Sequence, residues 1–269
     1  MKKFSDTYKK NRRECVFLCY KKQNTMINTT INGIDITKIL FLDIETVPQH
    51  GSEAELTETE RLLWQKKSAR MANDTMTAEE LYQKAGIFAE FGKIVCISVA
   101  FLYNDRGTLK MRVRSFANDD EACLLNDFMS LVNKHFNTKK IFFCAHNGYE
   151  FDFPFIARRA LIHGISVPIT LDTRGKKPWE IQHLDTLDLW RFADYKNYTS
   201  LALLAYVFGI PTPKDDIDGS QVCEVYWKEH DLQRIMNYCQ KDVITVVQLF
   251  RKYRCEDLIP EENIVIVNE

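Results

Sequence analysis

Glycine and proline are sparse in this chain, at 10 and 7 of 269 positions, which argues against collagen-like or linker-dominated architectures. No stretch approaches the roughly 20 apolar residues of a membrane span. Behind Lys2 and Lys3, the apolar stretch Cys15 to Tyr20 falls short of the ~7–15 residues of a secretory core segment. A soluble protein without a membrane partner is expected. The eight cysteines include no Cys-x-x-Cys pair, and there is no Cys/His zinc spacing, Gly-rich phosphate loop or nucleophile elbow. Cys96, Cys144 and Cys239 lie in apolar segments where a reduced thiol packs as a small hydrophobe, which fits a cytoplasmic location.

Net charge is also lacking, at −1 overall, but it is unevenly spread. Residues 1–25 hold eight Lys/Arg against Asp6 and Glu14, so residues 26–269 carry about −7. Such a body does not hold nucleic acid by bulk electrostatics, yet it leaves room for an enzyme that concentrates carboxylates around a cation. Residues 1–25 show no sustained period and read as a flexible tail, with Met26 as an alternative start, and residues 26–269 read as one domain.

Apolar periodicity places a buried strand at Lys38–Ile44, which Pro48 ends. A helical insertion follows from about Ser52 to Glu90, opened by capping boxes Thr57/Glu60 and Thr77/Glu80. Strands Lys93–Leu102 and Leu109–Phe116 flank the turn Asn104-Asp105-Arg106-Gly107 and form a hairpin. A helix at Glu121–Asn133, a strand at Lys140–Ala145 and a helix at about Phe153–His163 come next. His183–Leu189 reads as a strand, Ser200–Phe208 as a helix closed by Gly209, and Asp231–Arg251 as a long final helix. This order predicts an α/β fold with a central mixed five-stranded sheet between helices.

Three acidic motifs could carry chemistry. In Asp43-Ile44-Glu45 the strand alternation turns both carboxylates to one face, where they repel unless a divalent cation lies between them. Taken alone, they are equally an exposed pair at a strand end. Asp152, within Asn147-Gly148-Tyr149-Glu150-Phe151-Asp152-Phe153-Pro154, has the signature of a helix N-cap, yet a buried strand delivers it to a strand-end edge. Tyr238 and Asp242 share one face of the last helix at i, i+4, beside the apolar stripe, and alone would be boundary residues.

Together these motifs resemble the DEDD superfamily of 3′-5′ exonucleases, the DnaQ-like proofreading enzymes. Phe41-Leu42-Asp43-Ile44-Glu45-Thr46 is similar to the first exonuclease motif, and Asn147-x-x-x-Phe151-Asp152 to the second, in its family-B DNA polymerase form. Tyr238-x-x-x-Asp242 is similar to the third, in its tyrosine variant. The resemblance covers about residues 38–253. It is strongest to bacterial stand-alone predicted exonucleases related to that polymerase domain, through His183-Leu184-Asp185-Thr186-Leu187-Asp188 and Lys214 to Val222.

The resemblance implies a ribonuclease-H-like fold and two-metal phosphodiester hydrolysis with Mg²⁺ or Mn²⁺, which all-oxygen ligation favours. Asp43 would bridge both ions, Glu45 and Asp242 would complete the first, and Asp152 would serve the second. Tyr238 would orient the attacking water, and Asn147, Thr46 and Phe151 would contact substrate. The implied substrate is the 3′ end of single-stranded nucleic acid, DNA favoured over RNA, with 5′-mononucleotides released. Any DNA polymerase or repair partner would act in trans. The rival readings are a 3′-5′ exoribonuclease on this fold and a non-catalytic binding module.

Less specific candidates are His146, as a site-lining or loop residue, and Asp185 and Asp188, as supports of the site or surface groups. Trp64 could stack on a base or pack in a core, and the clusters Lys66-Lys67-Arg70 and Arg174-Lys176-Lys177 could meet a backbone or only solvent. The insertion's role and the oligomeric state stay open.

Overall fold

The computed structural model describes residues 29–71, 76–138, 141–211 and 217–267; the tail at 1–25 and Lys214 lie outside them. Among the described residues no helix is long and apolar enough to cross a membrane.

The first strand, β1 (Ile39–Pro48), is buried along nearly its whole length because both faces are covered. Two short insertion helices follow, α1 (Glu58–Ser68) and α2 (Ala78–Gln83), each opened by the expected reciprocal capping box. Leu56, Trp64, Tyr82 and Ala85 give these two helices a small core of their own. Trp64 meets Tyr82 and Phe91 edge-on, with centroids 5.8 and 5.3 Å away. Trp64 is thus a core residue of the insertion, which corrects the base-stacking alternative.

The hairpin β2 (Gly92–Asp105) and β3 (Thr108–Ala117) leads to α3 (Glu121–Leu131), which finishes in a π turn, Val132–Phe136. Then come β4 (Phe142–Ala145), α4 (Asp152–Ile162), β5 (Leu184–Asp185), α5 (Thr186–Arg191), α6 (Leu201–Val207), α7 (Leu232–Tyr253) and β6 (Ile264–Val267).

The sheet runs β5-β4-β1-β2-β3-β6, antiparallel at β1/β2 and β2/β3 and parallel elsewhere. It has six strands where the periodicity predicts five: β6 lies parallel beside β3, pairing Ile264 with Met111. The predicted strand His183–Leu189 also shrinks to two residues. Asp185 accepts the Leu187 and Asp188 N–H groups and so starts α5 in the middle of that segment.

Alternation divides β1 between two cores. Leu40, Leu42 and Ile44 pack with Leu125 and Phe128 of α3 and Ile156 of α4. Ile39 and Phe41 pack on the other side with Val243, Val246 and Phe250 of α7. Full burial of each such side chain contributes about 1.5–3 kcal/mol, and this anchors α7 across the face from which Asp43 projects.

One buried ionic cluster ties the layers at the other side. Glu121 of α3 accepts the Ile94 N–H at 2.7 Å and the Arg159 Nε at 2.9 Å, while the Arg159 Nη1 reaches the Ala89 carbonyl at 2.8 Å. His163 is 2.8 Å from the same carboxylate. β2, α3 and α4 therefore meet at the Glu121 carboxylate, and Arg159 adds the end of the insertion through the Ala89 carbonyl.

Candidate active site

β4 pairs with β1 only from Ile39 to Phe41, so beyond that point the β4-side edge of β1 has no strand partner among the described residues. The chain leaving β4 fills this gap. It turns through Asn147, whose φ is 63°, and Gly148, and enters α4 at Asp152. A Cβ on Gly148 would lie 2.5 Å from the Ala145 Cβ, so the tight return requires glycine. Asp152 is 3% exposed, and the Ile44 backbone hydrogen-bonds its carboxylate. Asp152 is the first helical residue, and the N-cap position falls on Phe151, which makes no side-chain capping bond.

Asp43 and Glu45 project from the α7 face of β1. The β1/β2 register shifts between Glu45 and Thr46, leaving Val95 without a partner on β1. Such a bulge twists the strand and re-aims its side chains, here just after the acidic pair. α7 approaches from above: the Cys239 thiol donates to the Asp43 carbonyl at 3.4 Å. Ligating atoms of Asp43, Glu45 and Cys239 lie within 4.8 Å of one another. One residue before Cys239, Tyr238 hydrogen-bonds Asp242.

All four carboxylates predicted from the motifs enter one electrostatic site. Burial, then Asp242, Glu45 and Asp152, push the Asp43 carboxyl well above its ordinary range. Burial, then Asp242, Cys96 and Asp152, do the same to Glu45. Asp152 is pushed up to about 8 by burial and by Asp185, against the opposing effect of its backbone hydrogen bonds. The Tyr238 hydroxyl is raised too, by burial and by Asp242, Glu45 and Asp43. Concentrated negative charge in a low-dielectric site is unfavourable by itself, and a divalent cation reverses it. The Asp43 Oδ2 is buried without a hydrogen-bond partner among the described residues, and the donors are largely oxygen. A hard divalent cation fits that set.

A cavity of about 480 Å³ opens onto this cluster, lined by Asp43, Asp242, Tyr238, His146 and Tyr198, with Ile217, Asp218 and Gln221 on the facing segment. His146 combines both of its predicted places. It lines the cavity, and its Nε2 donates to the Thr199 carbonyl at 3.0 Å while Nδ1 lies 2.9 Å from the Thr186 hydroxyl. Burial lowers its pKa and keeps it neutral.

The remaining candidates separate. Thr46 is half-buried just past the bulge, and the Asn147 Oδ1 is buried without a partner among the described residues. Phe151 is half-buried and packs on Phe155 at 5.3 Å, at the edge of the α3/α4 core. Asp185 holds the motif loop through the Asn147 and Tyr149 N–H groups, whereas Asp188 only offers its N–H to Asp185. Arg174 is engaged by Asp172 at 2.7 Å, and Lys67 lies near Phe88 and Glu90.

Reading the motifs misses Tyr198 and Cys239. Cys239 is one residue from a motif position, but its apolar surroundings masked it. Tyr198 belongs to an aromatic-rich stretch, Phe192 to Tyr198, that has no place in the acidic motifs.

Residues 87–260 match a family model described as a predicted 3′-5′ exonuclease related to the exonuclease domain of PolB. The matched span holds Asp152, Tyr238 and Asp242 but stops short of Asp43 and Glu45, which the fold supplies. Among solved structures, the family B DNA polymerase from the hyperthermophilic archaeon Pyrobaculum calidifontis is similar, at 16% identity and a TM-score of 0.47. The alignment covers 80% of this chain and 24% of the polymerase chain, so this chain spans about a quarter of that protein. No curated protein matches. The chain belongs to the family of predicted 3′-5′ exonucleases related to the PolB exonuclease domain.

Proposed function

We propose that this protein is a metal-dependent 3′-5′ exonuclease that removes mononucleotides from the 3′ end of single-stranded DNA. The observation that carries the reading is the electrostatic coupling of Asp43, Glu45, Asp152 and Asp242, from three separate parts of the chain, with Asp43 and Asp242 lining a cavity.

Asp43, Glu45 and Asp242 would hold one divalent ion, with Asp152 and Asp43 serving a second. Such ions, when bound, would supply Lewis-acid assistance to phosphodiester hydrolysis. The protein's own groups do the rest. Tyr238 keeps its proton because burial and three carboxylates oppose its ionisation, so it orients water through its hydroxyl and does not act as the base. Asp242 fixes that hydroxyl. Neutral His146 and Tyr198 shape the entrance.

The test is to incubate the protein with 5′-labelled single-stranded DNA or RNA in Mg²⁺, Mn²⁺ or chelator, beside Asp43→Ala. The expected result is a metal-dependent ladder shortening from the 3′ end, stronger on DNA and absent in the variant. Equal activity in EDTA or in Asp43→Ala would refute the assignment. Faster shortening of RNA would replace the DNA substrate with RNA.

A further inference from the structure

The segment that joins α5 to α6 carries three aromatic side chains at three-residue spacing. Phe192, Tyr195 and Tyr198 are 71%, 68% and 65% exposed. Isolated exposed hydrophobics are ordinary, but three large exposed rings within seven residues of one loop are a concentration of them. Phe192 and Ala193 both adopt left-handed backbone, with φ 43° and 69°. That conformation is unfavourable for a bulky residue, and here it turns the phenyl ring out to solvent.

This stretch reaches the candidate active site through Tyr198. Tyr198 is a wall of the same cavity as Asp43, Tyr238 and Asp242. Its ring meets the edge of His146 with centroids 6.5 Å apart, and His146 pins the next residue through the Thr199 carbonyl at 3.0 Å. Earlier in the same stretch, the Arg191 guanidinium sits 5.6 Å over the Tyr195 ring. Thus one aromatic lines the cavity, and two more exposed ones precede it in the chain at three-residue spacing.

We propose that Tyr198, Tyr195 and Phe192 form a stacking track for the bases of a single-stranded nucleic acid whose 3′ end enters the cavity, with Tyr198 seating the terminal nucleotide. The argument for this occupant is chemical. The inner end of the path is a carboxylate cluster suited to cations and the phosphates they bind. The outer surface is flat rings, which stack on any base. The chain's net charge of −1 offers no broad electrostatic attraction, so affinity has to come from such local contacts. Paired bases stay stacked on one another, so the rings select unpaired ones. The direction of the strand rests on the nuclease reading; the track itself does not.

The test measures binding apart from cleavage. A 5′-fluorescein dT12 is titrated with the full chain in Ca²⁺, and anisotropy is read at low and high salt. Tyr198→Ala and the double variant Phe192→Ala/Tyr195→Ala should each weaken binding roughly 5- to 100-fold, the range of base–aromatic stacking. The loss should persist at high salt, because stacking does not depend on counterion release. Tyr198→Phe should restore most of the affinity. In cleavage assays the double variant should raise KM far more than it lowers kcat. Thermal melts matching the wild type show that the surface changes leave the fold intact.

Wild-type affinity in both Ala variants would overturn the track, even if 3′ shortening proceeds normally. Loss of binding in both, in a protein that never cleaves, would uphold the track and remove only the nuclease reading. Equal preference for duplex and single strand would also overturn it.

Discussion

Asn147 adopts a left-handed backbone and donates its N–H to the Asp185 carboxylate at 2.9 Å. The same carboxylate accepts from Tyr149, Leu187 and Asp188. One side chain therefore starts α5 and also clamps the loop that carries Asp152 to the edge of β1.

Removing that clamp should affect stability and chemistry together. Asp185→Ala leaves several backbone donors without their charged acceptor, a loss of about 2–4 kcal/mol. Expected results are a lower denaturation midpoint and a 3′-end shortening rate reduced at least tenfold. Asp185→Asn should lose less of both, since its amide oxygen still accepts. An unchanged rate in Asp185→Ala would show that the loop holds Asp152 without it.

Gly148→Ala tests the same loop sterically. The added methyl would meet the Ala145 Cβ at 2.5 Å and the Phe153 ring at 2.9 Å. Neither neighbour can withdraw, because Ala145 ends β4 and Phe153 is buried. A destabilisation of about 1–3 kcal/mol is expected, read by chemical denaturation, with activity falling as Asp152 shifts.

Much of this arrangement was legible in the sequence for one reason: strand and helix periods fix which side chains share a face. Asp43 and Glu45 were placed together by alternation, and Tyr238 and Asp242 by the i, i+4 spacing. Both insertion helices could be located from their capping boxes. What failed was the resolution of short segments. His183–Leu189 has strand-like composition, yet Asp185 caps a helix within it. β6 is a run of four β-branched residues, too short to show a period by itself, and it becomes a strand by pairing with the edge of β3. Tyr198 was missed because exposed aromatics in a loop have no period to read.

The raised carboxyls predict a pH dependence that a cation should reduce. The Asp152 pKa rises from its ordinary 3.8 to about 8 on folding, so the folded state holds extra protons between those values. Asp43 and Glu45 shift in the same direction. Their contribution to stability is present at low pH and is lost as pH rises through the folded value. In chelator, the melting temperature should therefore fall as pH climbs towards 8. With saturating Mg²⁺ or Mn²⁺ the fall should shrink, and cation affinity should rise with pH as protons are displaced. Identical pH profiles with and without cation would count against the cluster as a metal site.

Glu121→Ala probes the fold away from the cavity. Arg159 is almost completely buried and would keep only the Ala89 carbonyl and its contact with His163. Breaking one side of a buried ion pair costs about 3–5 kcal/mol. Equilibrium denaturation should show that loss. Replacing both partners, as in Glu121→Leu with Arg159→Met, should recover a substantial part of it, because no charge is then left buried alone. A single variant as stable as the wild type would show that solvent reaches Arg159.

Tyr238→Phe separates orientation from base catalysis. The substitution removes only a hydroxyl, keeps the ring between α7 and the cavity, and frees Asp242 from one hydrogen bond. If the hydroxyl positions the attacking water, kcat should fall by about 10²-fold, the lower end of general acid–base contributions, while KM stays near wild type. The pH–rate profile decides the mechanism. A tyrosine acting as base would supply a rising limb that Phe abolishes, but Tyr238 is held protonated throughout the neutral range. The profile of Tyr238→Phe should therefore keep its shape and only drop in height. A changed shape would make the hydroxyl a proton acceptor and overturn its assignment as an orienting group.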